Sequence, residues 1–397
     1  MNNTKKQDII IKEMLVKENK VLKEVFLIKS KSDFNKINIL WFLSILSVFF
    51  ISLVSRYFFQ NQVVELSKLF DVEHYLDIAK YGYTEKNQMA FFPFLPIIMA
   101  FFNLFNAPVI LTVIFNNILT LLSGYLIYNI LTDIYQNTNK TGMYGVLLWM
   151  FSPIRVYCSI PYTEALLVFF SLLSFYLYKK RSHPFILGIT IGLAVFTKSI
   201  GSIAFFVIFL FLFIELIKSK DIKKLKYIIK TYIPATIISC LYPIYLQITV
   251  GNWKYFIDVQ FEHWARASGN IITTLICDTY KLLNSPTLDA FVTILLTFTS
   301  LFVAFILITT SFSKEKYKKL DLFILLICSI LTIFSTYRNT LAEAHSVSFF
   351  RYIYALIPMY LLLNDKMDVT VKKFLTILTF ILFTVITFLF LGNNFIT

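Results

Sequence analysis

Residues 37–83 read INILWFLSILSVFFISLVSRYFFQNQVVELSKLFDVEHYLDIAKYGY, an apolar run that ends abruptly in a polar block. The run from Ile37 to Phe59 carries one charge, Arg56, and matches the roughly 20 residues an α-helix needs to cross a bilayer. The block that follows, Asp71 to Tyr83, holds three acids, a histidine and three tyrosines. A polar cluster at a membrane border asks for a functional reason, because ionisable groups near a span are costly to keep there.

Working outward, apolar runs recur near 108–134, 142–158, 160–178, 185–198, 201–217, 231–250, 288–311, 321–337, 347–363 and 373–391. The 397 residues are 57% hydrophobic and only 15% charged, with mean hydropathy +0.71. Soluble domains hold roughly 25% charged residues. The runs are continuous rather than alternating, which argues against a β-barrel. The fold class read here is all-α and polytopic, with about 11 transmembrane helices. The segment Phe91 to Phe105, with Pro93 and Pro96 near its start, is read as a re-entrant or interfacial helix. Residues 1–36 form a basic tail, and 37–397 a single integral membrane domain with outer loops 60–90 and 251–287.

The net charge of +14 is placed at span ends rather than on one surface. Nine lysines and five acids precede the first span. Further basic runs lie at 179–181, 218–230, 314–319 and 366–373. This is the positive-inside pattern, not a nucleic-acid footprint. With the tail inside, every basic run falls inside and the C-terminus outside. The tail lacks an apolar core followed by a cleavage site, so it is not a cleaved signal peptide; an interfacial helix and a plain cytoplasmic tail fit equally. Cys158, Cys240, Cys277 and Cys328 are widely spaced, form no metal-like pair, and read as packing residues.

That topology, built from lysine and arginine alone, sends the unusual residues to the outer side: Asp71 to Tyr83, the turn Pro161-Tyr162-Thr163-Glu164, Lys198, the loop 251–287, and Arg338 to Arg351. The block Phe70-Asp71…His74-Tyr75…Ile78-Ala79…Gly82-Tyr83, followed by Ala90-Phe91-Phe92-Pro93, resembles the first outer loop of the PIG-V family. These are the mannosyltransferases that add the second mannose of GPI anchors, with their bacterial relatives. Phe70 stands where that family usually has tryptophan. Ser152-Pro153 with Pro161-Tyr162-Thr163-Glu164-Ala165-Leu166 is similar to a second element of the family. Gly192-Leu193-Ala194 with Thr197-Lys198-Ser199-Ile200-Gly201 is similar to a third, with Lys198 in place of arginine. Gln260…Trp264-Ala265-Arg266 and Ser348…Arg351-Tyr352 complete the ordered set. The resemblance implies a GT-C fold and transfer of a hexose, typically mannose, from a polyprenyl-phosphate donor. The acceptor is a lipid, a glycan or a protein. The last two blocks resemble bacterial members, which implies a bacterial plasma membrane. The loop from Tyr83 to Pro96 is closer to eukaryotic members, which keeps the endoplasmic reticulum membrane as the alternative.

Such a transfer needs a base for the acceptor hydroxyl and positive charge for the departing phosphate. Asp71 is the base candidate; its alternative is a helix N-cap. The resemblance likewise implies a functional acid in this loop. His74 and Tyr75 follow at helical spacing and share a face with Asp71. His74 is placed to orient Asp71, contact donor phosphate or help hold a divalent metal, although no metal-ligand set is assigned. Glu164 opens a span and is the second acid, for sugar hydroxyls or as the base in place of Asp71; its alternative is a favourable helix N-terminus. Lys198, Arg266 and Arg351 are candidate phosphate ligands, arginine offering a planar fork and lysine a point charge. For Arg351 the alternative is snorkelling to headgroups. Gln260 and Trp264 form a candidate lid over the site, against plain interfacial anchoring for the tryptophan. Arg338 and His345 are further polar residues of the same side without a family match.

A flippase or secondary transporter is the competing class. It calls for charges paired near mid-bilayer and usually for repeated halves, and the sequence offers neither. A non-catalytic scaffold leaves the acids and Arg351 unexplained.

Overall fold

The computed structural model describes residues 24–59, 66–314, 319–336, 338–342, 344–355 and 359–392. Most of the tail assigned to residues 1–36 lies outside these.

The protein is an all-α polytopic membrane protein. Its helices are α1 (Lys31–Phe59), α2 (Asp71–Tyr81), α3 (Phe94–Asn103), α4 (Pro108–Asn129), α5 (Asn139–Met150), α6 (Glu164–Lys179), α7 (Pro184–Thr197), α8 (Ser202–Ser219), α9 (Ile222–Val250), α10 (Tyr255–Glu262), α11 (Ile271–Asn284), α12 (Leu288–Lys314), α13 (Leu320–Thr336), α14 (Phe349–Ala355) and α15 (Val369–Leu391). Among the described residues, six helical stretches are long and apolar enough to cross a membrane: 31–59, 108–134, 199–219, 222–250, 288–311 and 369–391. Three shorter apolar helices, α3, α7 and α13, accompany them.

The expected count of eleven spans is not established by helix length. Two expected spans are interrupted. The run 142–158 is helical only to Met150, and from Phe151 to Thr163 the chain winds in buried turns around Pro153 and Pro161. The run 347–363 is helical over Phe349–Ala355 and again, as a tight 3₁₀ turn, over Met359–Leu362. Burial by neighbouring helices is what lets irregular backbone persist at that depth. The helix expected to be re-entrant is α3, ten residues long, hence about 15 Å against a hydrocarbon core of about 30 Å.

Close packing is set by small residues. A Cβ on Gly188 of α7 would stand 2.1 Å from the Thr231 carbonyl oxygen, and one on Gly192 2.8 Å from Ile238 Cβ, both on α9. Glycine at these two positions, one turn apart, brings the two backbones together, as small residues do between membrane helices. Two-residue strands β1 (Arg266–Ala267) and β2 (Arg338–Asn339) pair antiparallel, with Arg266 opposite Asn339.

Contacts sort the helix ends into two groups. One end gathers Lys29 with Asp133 (3.5 Å), Lys179 with Asp321, Arg181 with Glu215, the Thr138 N–H donating to Asp365 (2.9 Å), and Lys319 Nζ donating to the Leu361 carbonyl (3.1 Å). The other end gathers the last turns of α1 and α15, through Ser55 Oγ donating to the Phe388 carbonyl (2.6 Å). There Phe390 packs on Phe70, Tyr157 and Tyr162. The basic runs and the polar block of α2 therefore lie at opposite ends of the bundle.

Candidate active site

Helix α2 starts at Asp71 because Phe70, at φ 47°, turns the chain sharply just before it. Asp71 is thus the first residue of the helix rather than its cap, and the cap position makes no side-chain hydrogen bond. Val72, Tyr75, Leu76 and Ile78 face the bundle. The Asp71 N–H donates to the Tyr162 hydroxyl at 3.2 Å, which ties α2 to the turn before α6.

That turn places Glu164 at the first position of α6, with no exposed surface. Lys198, which follows α7, donates to Glu164 Oε1 at 3.0 Å. Arg351, near the start of α14, reaches the same oxygen with Nε at 3.3 Å and Asp71 Oδ2 with Nη1 at 3.6 Å. One guanidinium therefore spans the two acids. It also lies over the rings of Tyr157, Tyr162 and Tyr352, at 5.3, 5.4 and 5.2 Å, within cation–π range. Lys198 lies over the Tyr352 ring at 4.5 Å.

These groups border a cavity of about 140 Å³ whose lining includes Asp71, Tyr75, Lys198, Gln260, Trp264, Arg266, Arg351 and Tyr352. Seven of the nine candidate residues read from the sequence thus meet at one cavity. The remaining two stand directly behind it. His74 stacks on Phe91 at 5.0 Å and meets the Trp264 ring edge-on at 5.6 Å. Glu164 holds Lys198 and Arg351 and does not itself line the cavity. With no accessible surface, its carboxylate would need a rearrangement before it could receive a proton from an acceptor hydroxyl.

The roof is built from α10 and the segments that carry β1 and β2. Gln260 lies on α10, and Trp264 donates from Nε1 to the Asn87 carbonyl at 3.0 Å. The β1–β2 pair holds Arg266 over the cavity, and Asn339 Nδ2 donates to the Trp264 carbonyl at 3.2 Å. Arg338 Nε donates in turn to His345 Nδ1 at 2.8 Å, tying β2 to the chain before α14. Buried Asp278 of α11 accepts from the backbone N–H groups of His345 and Ser346. Burial, then Lys281 and Arg338, push the His345 imidazole down to about 4, so its Nδ1 lone pair stays available. Burial pushes the Asp278 carboxyl up. Arg338 and His345 thus shape the roof.

Among the described residues no three His, Cys, Asp or Glu side chains converge as metal ligands. The charge at the cavity comes from Lys198, Arg266 and Arg351 against Asp71 and Glu164, an excess of one cation. Such a surface suits an anion placed next to a carboxylate.

Sequence reasoning missed the groups that hold this arrangement. Asn116 of α4 donates to the carbonyls of Ile160 and Tyr162, at 2.5 and 3.0 Å. Arg155, fully buried, donates to Ser44 Oγ of α1 (3.0 Å), to Asn117 Oδ1 of α4 (2.8 Å) and to Ser159. Both fix the turn that carries Tyr157, Tyr162 and Glu164. The signal was present: amides and an arginine inside apolar runs are costly unless bonded, and so mark structure or function.

A family model described as dolichyl-phosphate-mannose-protein mannosyltransferase matches residues 89–260. The match covers less than half of the chain and includes Phe91, Glu164, Lys198 and Gln260. No curated protein and no solved structure matches the chain. The matched family is not PIG-V, which the sequence blocks resemble; mannose is the sugar common to the two. Over residues 89–260, then, the chain is similar to membrane mannosyltransferases that use a lipid-phosphate sugar.

Proposed function

We propose that the protein is a membrane glycosyltransferase of GT-C type. It moves a hexose, mannose in this reading, from a polyprenyl-phosphate donor to a lipid, glycan or protein acceptor on the outer face. The observation that carries the proposal is the bridging of Asp71 and Glu164 by Arg351 at a cavity that also presents Lys198 and Arg266.

The assignment of roles follows from exposure. Asp71, whose side chain is 25% exposed, takes the proton from the acceptor hydroxyl. The acceptor oxygen attacks the anomeric carbon, the bond from that carbon to the phosphate oxygen breaks, and the phosphate leaves with the electron pair. A single displacement of this kind inverts the anomeric centre. Arg351, Lys198 and Arg266 receive the charge that grows on the phosphate, in a site where neighbouring rings exclude water. Glu164 is a positioning residue that holds two of these cations. Gln260, Trp264 and Tyr75 border the sugar, and His74 supports Trp264 from behind.

A second feature supports a lipid donor. Beside the cavity an apolar groove of about 370 Å³ is lined by Ile78, Tyr83, Pro93, Phe196, Leu241 and Tyr242. Ile78 shares α2 with Asp71, and Phe196 lies two residues before Lys198, so a prenyl chain in the groove brings its phosphate to the cations. The outer-face assignment is supported by the basic runs, which lie at the opposite end and fit the cytoplasmic side.

The test is turnover by purified protein in lipid nanodiscs with polyprenyl-phosphate-mannose and a panel of glycolipid, glycan and peptide acceptors. Acceptor-dependent release of free polyprenyl phosphate is expected. Retention of intact donor with every acceptor, alongside movement of the lipid across the bilayer, would replace this reading with the flippase.

A further inference from the structure

At the end of the bundle away from the cavity, α8 and α9 form a hairpin whose two helices leave a groove between them. The groove has a volume of about 610 Å³ and presents almost no polar surface. Its walls include Phe209, Phe213 and Leu216 of α8 and Leu225, Ile229 and Ile233 of α9. Several of these side chains are exposed on the outside of the bundle. Tyr232 lies at its base with its hydroxyl already satisfied, donating to the Phe205 carbonyl at 2.8 Å. Nothing in the groove asks for a polar ligand, and its shape and chemistry fit an aliphatic chain.

The groove runs toward the loop joining the helices, and that loop is strongly basic. Lys218, Lys220, Lys223 and Lys224 follow one another there, with Lys226 and Lys230 on the next turns of α9. Among the described residues none of these lysines sits in an ion pair. The two nearby acids are engaged: Glu215 is held by Arg181, and Asp221 accepts the Lys223 N–H at 2.9 Å. Positive-inside placement accounts for lysines at this end, but not for a preformed apolar groove ending among them.

We propose that this hairpin binds one anionic phospholipid of the cytoplasmic leaflet, an acyl chain in the groove and the phosphate headgroup among Lys218, Lys220, Lys223 and Lys224. Clustered lysines beside a span recognise anionic headgroups through their field. The donor cannot be the occupant while reacting, since its phosphate must reach Lys198 and Arg351 at the other end. This site is separate from the proposed transfer reaction and stands whether or not that reaction is the right one.

The experiment is native mass spectrometry of the purified full chain, equilibrated with equal phosphatidylglycerol and phosphatidylcholine. One phosphatidylglycerol is expected to be retained, with a preference of roughly tenfold, which is less than four fully effective surface lysines would give. The variant carrying Lys218→Gln, Lys220→Gln, Lys223→Gln and Lys224→Gln should bring the two lipids near parity. Ile233→Trp, which fills the groove, should lower retention of both. A control pair elsewhere at the same end, Lys372→Gln with Lys373→Gln, should leave the preference intact. Equal retention of the two lipids by wild type would overturn the proposal. So would a control pair as damaging as the hairpin variant, which would assign the effect to general surface charge. Displacement of phosphatidylglycerol by equimolar polyprenyl phosphate would overturn it too, by assigning the groove to the carrier lipid instead.

Discussion

Replacing Arg351 by lysine keeps the charge and removes the fork. In the structure the guanidinium reaches Glu164 with Nε at 3.3 Å and Asp71 with Nη1 at 3.6 Å, while only 5% of the side chain is exposed. A single ammonium cannot stand in both places. At 3.6 Å, with an effective dielectric constant near 20, the attraction to one carboxylate is about 4–5 kcal/mol before desolvation is subtracted. Part of that is lost with the second contact, together with the planar match to a phosphate. Removing one positioned donor from a site of developing negative charge typically costs about 3–4 kcal/mol, or roughly 10²–10³ in kcat. Arg351→Lys is therefore expected to lower kcat by roughly 10²-fold, with a smaller rise in donor KM. Arg351→Ala should be worse, because Asp71 then loses its Arg351 ion pair and Glu164 keeps only its pair with Lys198; breaking a buried pair also costs about 3–5 kcal/mol of stability. The assay is initial-rate release of polyprenyl phosphate in nanodiscs, with thermal unfolding of each variant recorded in parallel. A Lys variant within about threefold of wild type, at unchanged stability, would refute the reasoning, since a residue that merely reaches headgroups tolerates lysine.

Four further outcomes are expected. Asp71→Asn should lower turnover by roughly 10²–10⁴-fold while donor binding and thermal stability persist, because the amide keeps the shape and cannot take the proton; activity within a few-fold of wild type would end its candidacy as base. Lys68→Cys and Lys224→Cys, in a background without native cysteines, should label from opposite sides of the membrane with an impermeant maleimide, and labelling from one side would defeat the topology. Gly188→Ala should destabilise by about 1–3 kcal/mol in thermal unfolding, since the new methyl group meets the Thr231 carbonyl, a backbone atom that cannot swing aside. Stability should also fall as pH drops from about 6.5 toward 4. His345 takes its proton near the ordinary 6.5 when unfolded but only at about 4 when folded, so the unfolded state binds more protons in that window. His345→Gln should flatten that part of a plot of melting temperature against pH.

The candidate residues were legible because each is a polar exception in an apolar context. Asp71, Glu164, Lys198 and Arg351 stand at the ends of apolar runs, and a charge there is retained only for a reason. Reading the basic runs as one side puts these residues together on the other side, and the fold brings them to one cavity. The roles were less legible than the residues. Glu164 and Asp71 look alike in sequence, both opening helices, yet one side chain is fully buried against two cations and the other reaches the cavity. That difference is made by the turn from Phe151 to Thr163, which sequence periodicity reads as part of two spans.

The sequence by itself determined the class of molecule, its two-sided charge arrangement and the identity of the polar exceptions, because hydropathy and lysine placement act locally, residue by residue. Tertiary structure alone decided how Arg351 bridges two acids from distant helices, which acid faces the cavity, and how Asn116 and Arg155 fix the turn between them. It also decided that two apolar runs break inside the bundle. Hydropathy measures whether a segment tolerates an apolar surrounding; it does not register where neighbouring helices supply the hydrogen bonds that let the backbone leave the helix.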